Sequence, residues 1–283
     1  MSTTPGKGAI VIPTDTIDKL AECFASLSEL GAQLSESDWK APTDLAGWSV
    51  QDNLSHLVGI ERIMEGLPGT NHKAPSSGHV KNPIGEANEN EIDSRRHLTG
   101  ADVLAEWNEI ATRRLTTLRA ADADYFAAPA MTPTGPGTLA DFLHIRVLDC
   151  WVHEQDMRRA VARPGHLGGP AAEHTIDRLI RTIPIVVGKR AATPEGASVV
   201  IDITADPQVG GVSRHIVCTV QDGRAAISTT ESDSVMARLS MDTETFLILA
   251  TGRRSFTDVQ ERVALSGDRA HAQRVAEALN MMI

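Results

Sequence analysis

Residues 146–161 read RVLDCWVHEQDMRRAV, and how this stretch is read decides the fold. A 3.6-residue period accounts for its pattern, with Arg146, Asp149, His153 and Asp156 following Phe142 along one stripe. Leu139, Leu143, Leu148, Trp151 and Val152 flank that stripe, so the helix is predicted to be packed rather than freely solvated. It begins near Thr138 and stops before Pro164 and Gly165, a proline–glycine pair that ends helices. Asp149 and His153 stand one turn apart and leave the same face, so two metal-ligand types converge. Charged groups on a largely buried stripe need partners or a metal.

A second histidine, His56, falls in another predicted helix from about Ser49 to Met64, opened by Ser49 with Asp52 in the capping-box position. Asp52 lies one turn before His56. It could accept a hydrogen bond from the histidine's free ring nitrogen, or act only as a capping residue. His56, Asp149 and His153 together make a candidate three-ligand metal site. Two imidazoles and one carboxylate suit Zn²⁺, and equally Fe(II), Ni(II) or Mn(II), which differ in geometry rather than ligand type.

The periodicity divides the chain. A helix over Asp15–Leu34 carries Ile17, Leu20, Phe24, Leu27 and Leu30. Residues 67–88, rich in proline, glycine and serine, read as one long connection, and such loops are usually functional lids or mobile surface. A helix holding Val103, Trp107, Ile110, Leu115 and Leu118 follows, and then a turn region of Pro129, Pro133, Gly135, Pro136 and Gly137. A further helix spans about Pro170–Lys189, with Pro184 predicting a kink or early end. After Pro194 short β-rich runs take over: VVIDIT, HIVCTV and AAISTT, with Asp222 and Gly223 as a hairpin turn. Asp242 is expected to cap the helix TETFLILATG, ended by Gly252, and Ser266 to cap the last helix through Leu279. The domain boundary is expected near residues 188–197.

Composition narrows the function classes. A chain of 283 residues exceeds the usual single-domain size. Its 37 acidic and 27 basic residues, net charge −10, disfavour nucleic acid as a partner. No apolar run approaches the ~20 residues of a membrane span. The opening MSTTPGKGAIVIP lacks the basic start and long apolar core of a secretory signal, so a cytoplasmic protein is expected. Cys23, Cys150 and Cys218 are widely separated and form neither a disulfide framework nor a cysteine zinc site.

Three stretches carry a resemblance to a known family: WKAPTDLAGWSVQDNLSHLVGIERI (39–63), LDCWVHEQDMRRAVARPG (148–165) and RLSMDTETFLILATGRR (238–254). They resemble, in the same order, segments of the mycothiol-dependent maleylpyruvate isomerase family. The resemblance implies an α plus α+β architecture: a DinB-like up-down helical bundle over 1–190, then a smaller sterol-carrier-like α+β domain over 195–283 with an antiparallel or mixed sheet. It further implies a divalent metal, usually zinc, on His56 and His153, with Asp149 where the family usually shows glutamate. That aspartate, one methylene shorter, ligates directly with a small helix shift, or through water.

The family uses mycothiol, or a similar small thiol, together with an electrophilic substrate. Coordination removes the thiol proton. The thiolate then adds to the double bond of a cis-enedioyl acid, the bond rotates, and elimination returns the thiol; a transferase would stop at the adduct. Arg253, in the Gly-Arg-Arg of 252–254, corresponds to a family segment where an arginine could bind a substrate carboxylate; a cation at a helix C-terminus is the other reading. Against the enzyme stands a second class, a non-catalytic small-molecule or lipid-binding protein with a structural metal. Among the remaining residues, His72 and His79 are exposed loop histidines or reach the mouth of a site. Arg158 and Arg159 are expected to form solvated ion pairs with Glu154 or Asp156. Trp48, Trp107 and Trp151 line a pocket or fill the core.

Overall fold

The computed structural model describes residues 11–228, 230 and 235–282. The opening residues 1–10, read above for a targeting signal, and Thr229 of the AAISTT run lie outside the described residues. The chain divides into two compact units, residues 1–163 and 164–283.

In the first unit, α1 (Thr14–Gly31), α3 (Val50–Met64), α5 (Gly100–Ala120) and α7 (Leu139–Ala160) are the long helices. Each of α1 and α3 packs against both α5 and α7, so the chain passes across the bundle between α1 and α3 and again between α5 and α7. The first crossing carries α2 (Glu36–Trp39); the second carries α6 (Ala123–Ala127) and an antiparallel hairpin of β1 (Pro129–Thr132) and β2 (Gly135–Thr138). That hairpin occupies what the proline- and glycine-rich sequence suggested was only a turn region.

The apolar stripe of α1 is buried as its spacing requires, and Phe24 meets Trp107 of α5 edge-on at 4.9 Å. Trp39 of α2 is buried over the start of α5. A Cβ on Gly100 would stand 2.0 Å from its indole ring, so only glycine admits this approach.

The expected connection over 67–88 is shorter than its composition suggested, because α4 (Pro83–Asp93) begins inside it. Asn82 caps this helix by accepting from the Gly85 N–H at 2.8 Å, and Pro83 takes the first turn, where its missing N–H costs nothing.

The second unit opens with α8 (Pro170–Ile180). The helix ends ahead of Pro184, and α9 (Ile183–Ile185) and a π turn over Val186–Arg190 follow. These residues pack with the sheet, and the two compact units part at Arg163/Pro164. The π turn and α9 lie on strands of the sheet, and Asp177 of α8 pairs with Arg214 at 2.8 Å.

The sheet is mixed. Its strands are β3 (Ser198–Thr204), β4 (Arg214–Gln221), β5 (Arg224–Ser228), β6 (Val235–Asp242) and β7 (Ala264–Gly267), in the order β5-β4-β3-β6-β7, with β3 and β6 parallel and the other pairs antiparallel. Asp222 and Gly223, at φ 52° and 71°, make the two-residue β4–β5 turn, whose left-handed backbone matches the twist of the strands.

Asp242 caps α10 (Thr243–Ala250), every residue of which except Glu244 is buried, and Gly252 follows it at φ 65°. A short α11 (Phe256–Val259) leads to β7, and α12 (Arg269–Glu277) closes the unit. Asp268 caps α12; Ser266, the expected cap, lies within β7 and pairs with Arg238.

Candidate metal centre

Two helices build the site, and their starts are fixed by capping boxes. At the head of α3, Ser49 accepts from the Asp52 N–H while Asp52 accepts from the Ser49 N–H at 2.8 Å. Thr138 and Asp141 do the same for α7. With both helices anchored, Asn53 and His56 of α3 face Asp149 and His153 of α7.

The structure brings the three sequence-derived ligands together: one ligand atom from each of His56, Asp149 and His153 lies within 4.8 Å of the others. His56 Nε2 is 3.3 Å from Asp149 Oδ2, and His153 Nε2 is 3.5 Å from Asp149 Oδ1. Donors bound to one ion at ~2.1 Å stand about 3.0–3.4 Å apart at adjacent positions of a tetrahedral or octahedral shell; the His56 separation falls in that range, and the His153 separation, to the other carboxylate oxygen, lies just beyond it. Both imidazoles are more than nine-tenths covered, while the Asp149 side chain keeps 21% of its surface.

Proton positions sharpen the fit. The Asn53 side-chain nitrogen donates to the Ser49 carbonyl at 2.9 Å, which leaves its oxygen as the acceptor toward His153 Nδ1 at 2.7 Å. Nδ1 therefore carries a proton, so in the neutral imidazole it is Nε2 that turns a lone pair toward the carboxylate. A cation would fit between two such acceptors. On His56, Nδ1 is buried with no hydrogen-bond partner among the described residues. Asp52 does not reach it. Beyond its capping role, Asp52 accepts from Arg96 Nε at 3.1 Å.

The charges around the site are paired. Arg146 bonds Asp149 Oδ2 through Nη1, Glu61 Oε1 through Nε at 2.8 Å and the Cys150 sulfur through Nη2 at 3.4 Å. Burial alone would raise the Asp149 carboxyl, but the Arg146 guanidinium, followed by His56 and His153, holds it well below the usual carboxylate range. Burial lowers the His56 imidazole, against the smaller opposing pull of Asp149.

Trp48 forms a wall. Its ring lies 5.4 Å from that of His56 and 5.7 Å from that of His153, and its N–H donates to Glu89 at 3.1 Å. Glu89 also borders a cavity of about 330 Å³ lined by Pro75, Ser77 and Val80. Trp107 and Trp151 are fully buried core residues.

The other residues singled out in the sequence have partners of their own. His72 pairs with Asp93 at 2.6 Å and His79 with Glu89 at 3.2 Å. Arg158 and Arg159 form ion pairs that are not solvated, because their partners Glu154 and Asp156 are fully buried; Arg159 also reaches Asp44 at 3.0 Å. In the second unit, Arg253 donates to the Thr251 carbonyl at 3.1 Å, beside the end of α10. All three cysteines are buried. Burial pushes the Cys23 and Cys150 thiols well up and Cys218 to about 11.

Asn53, Arg146 as a clamp and Glu61 escaped the sequence reading. A signal existed for two of them: Asn53 and Glu61 are polar residues on an otherwise apolar helix face, a pattern that requires a partner.

The first unit is thus a helical bundle that gathers two histidines and a carboxylate between two of its helices, a candidate metal centre. The family model described as the mycothiol maleylpyruvate isomerase N-terminal domain matches residues 20–158, so this segment of the chain is similar to that domain. Two crystal structures of mycothiol-dependent maleylpyruvate isomerase share its fold. One is of a histidine-to-alanine mutant, with 15% identity and a TM-score of 0.55; the other has 16% identity and a TM-score of 0.53. Each alignment covers 89% of this chain and 92% of the other. Sterol carrier protein 2 from Yarrowia lipolytica aligns over 38% of this chain and 88% of its own at 13% identity, with a TM-score of 0.28, too low to assign a fold. No curated protein matches the chain.

Proposed function

We propose that this protein is a divalent-metal-dependent enzyme that uses mycothiol or a similar small thiol, either to isomerise an unsaturated dicarboxylic acid or to transfer the thiol to an electrophile. The carrying observation is His153, whose proton is fixed on Nδ1 by Asn53 while Nε2 faces the carboxylate of Asp149. His56, Asp149 and His153 would hold the ion, with zinc the first choice for this donor set. When bound, such an ion acts as a Lewis acid and favours the deprotonated form of a thiol at neutral pH.

The chain's own residues supply the surroundings. Asn53 orients His153 and Arg146 orients Asp149. The Trp48 ring covers one side of both imidazoles, excluding water there. No protein thiol is placed to compete, since Cys150 is buried with a raised pKa, which supports a thiol that arrives from solution. Arg253 is the proposed partner for a substrate carboxylate. The setting is cytoplasmic, where small thiols stay reduced.

The test combines metal-loaded protein, a small thiol and a cis-enedioyl acid, with isomers followed by NMR and free thiol by titration. Thiol-dependent conversion with thiol conserved identifies the isomerase, and stoichiometric thiol loss identifies the transferase. Conversion at the same rate without added thiol would overturn the reading.

A further inference from the structure

Asp149 uses its two oxygens differently. Oδ2 accepts from the Arg146 guanidinium and lies 3.3 Å from His56 Nε2, while Oδ1 faces His153 Nε2 at 3.5 Å. Arg146 is itself immobilised. Its side chain is 3% exposed, and its Nε donates to Glu61 Oε1 at 2.8 Å. Glu61 is fully buried, with Oε2 3.3 Å from Arg114 Nε, and Arg114 donates onward to Glu65 at 3.1 Å and Tyr125 at 2.8 Å. A rigid row of alternating charges thus ends on one oxygen of one candidate ligand.

We propose that Arg146 is the positioning residue of the metal centre: anchored by Glu61, it grips Oδ2 of Asp149, the oxygen beside His56, and so fixes the carboxylate with Oδ1 turned toward His153. Three features carry the assignment. The planar fork of arginine places donors on Glu61 and Asp149 at fixed spacing, which a lysine ammonium cannot reproduce. An aspartate has only two side-chain torsions, so gripping one oxygen fixes the direction of the other. Each carboxylate of the row, Glu61, Glu65 and Asp149, meets at least one guanidinium of Arg113, Arg114 or Arg146, so Arg146 is held in a charge-matched network. Partners that hold a ligating carboxylate tune affinity without touching the ion.

The inference rests on the metal reading above, and the experiment separates the two. Wild type, Arg146→Met, Arg146→Lys and the double variant Glu61→Gln/Arg146→Met are titrated with Co²⁺ under chelator competition, reading the visible absorption of bound cobalt, while urea unfolding of each metal-free protein reports folding. The double variant removes both charges of the anchoring pair, so it keeps the test open if Arg146→Met alone fails to fold. The expected result is a loss of about 10- to 100-fold in Co²⁺ affinity for Arg146→Met, an altered cobalt spectrum, partial recovery in Arg146→Lys, and a double variant that regains folding stability without regaining affinity. A folded double variant with wild-type affinity and spectrum would overturn the proposal and leave the metal reading standing. Failure of wild type to bind Co²⁺ at all would overturn both.

Discussion

Asn53 on α3 accepts a hydrogen bond from Nδ1 of His153 on α7 at 2.7 Å, and this contact decides which nitrogen His153 offers to a ligand. It also links the two helices that carry all three candidate ligands. Replacing Asn53 with leucine should leave the His153 N–H buried without an acceptor, at about 1–3 kcal/mol of stability, and should weaken metal binding by about 10- to 100-fold. Urea unfolding of the metal-free protein and chelator competition measure the two effects separately. Unchanged metal affinity would mean that the tautomer is fixed by something else.

Glu61 should matter more for folding than for chemistry. It sits between two buried guanidiniums, 2.8 Å from Arg146 and 3.3 Å from Arg114. Glu61→Ala should therefore cost about 3–5 kcal/mol, the usual consequence of leaving buried charge uncompensated. Urea unfolding at neutral pH reads this directly, and a loss below about 1 kcal/mol would show that Glu65 and Tyr125 suffice for Arg114.

Acidification should destabilise the metal-free protein and release any bound metal. The folded pKa of His56 is depressed, chiefly by burial, so its contribution to stability is present above the unfolded value of ~6.5 and is lost as pH falls through the folded pKa. Metal release follows the same direction, because a ligating imidazole must be neutral. Chelator-accessible metal measured across pH should rise on the acid side; retention that improves with acid would contradict the assignment.

The bundle helices were legible because their signals are local: apolar residues at helical spacing in α1, α5 and α7, and capping boxes at Ser49 and Thr138. His56, Asp149 and His153 were legible for a related reason, since their spacing places chemistry on predictable faces, and the structure gathers them. What was hidden depends on contacts distant in sequence. Asn53 acquires its role only when α7 brings His153 to it, and Arg146 becomes a clamp only between Glu61 and Asp149. Pro194 marks the change from helix to strand, which periodicity records, whereas Asp177 and the π turn join the sheet through packing that no periodicity records. β6 and β7 went unassigned because β6 was read only within the RLSM stretch and β7 is four residues long.

The native cysteines should be inert. Cys23, Cys150 and Cys218 are buried with raised pKa values, and reactivity follows the exposed thiolate. A disulfide reagent such as DTNB at pH 8 should label essentially none of them before urea is added, and all of them after. Rapid labelling of Cys150 in the folded protein would reopen a protein thiol as the nucleophile.

Metal content tests the central claim most directly. Protein purified from metal-replete medium and measured by elemental analysis should carry about one divalent ion per chain, with His56→Ala and His153→Ala each losing it while remaining folded by circular dichroism. Wild-type protein that binds no divalent ion, or variants that keep a full equivalent, would contradict the assignment of His56, Asp149 and His153 as a metal centre.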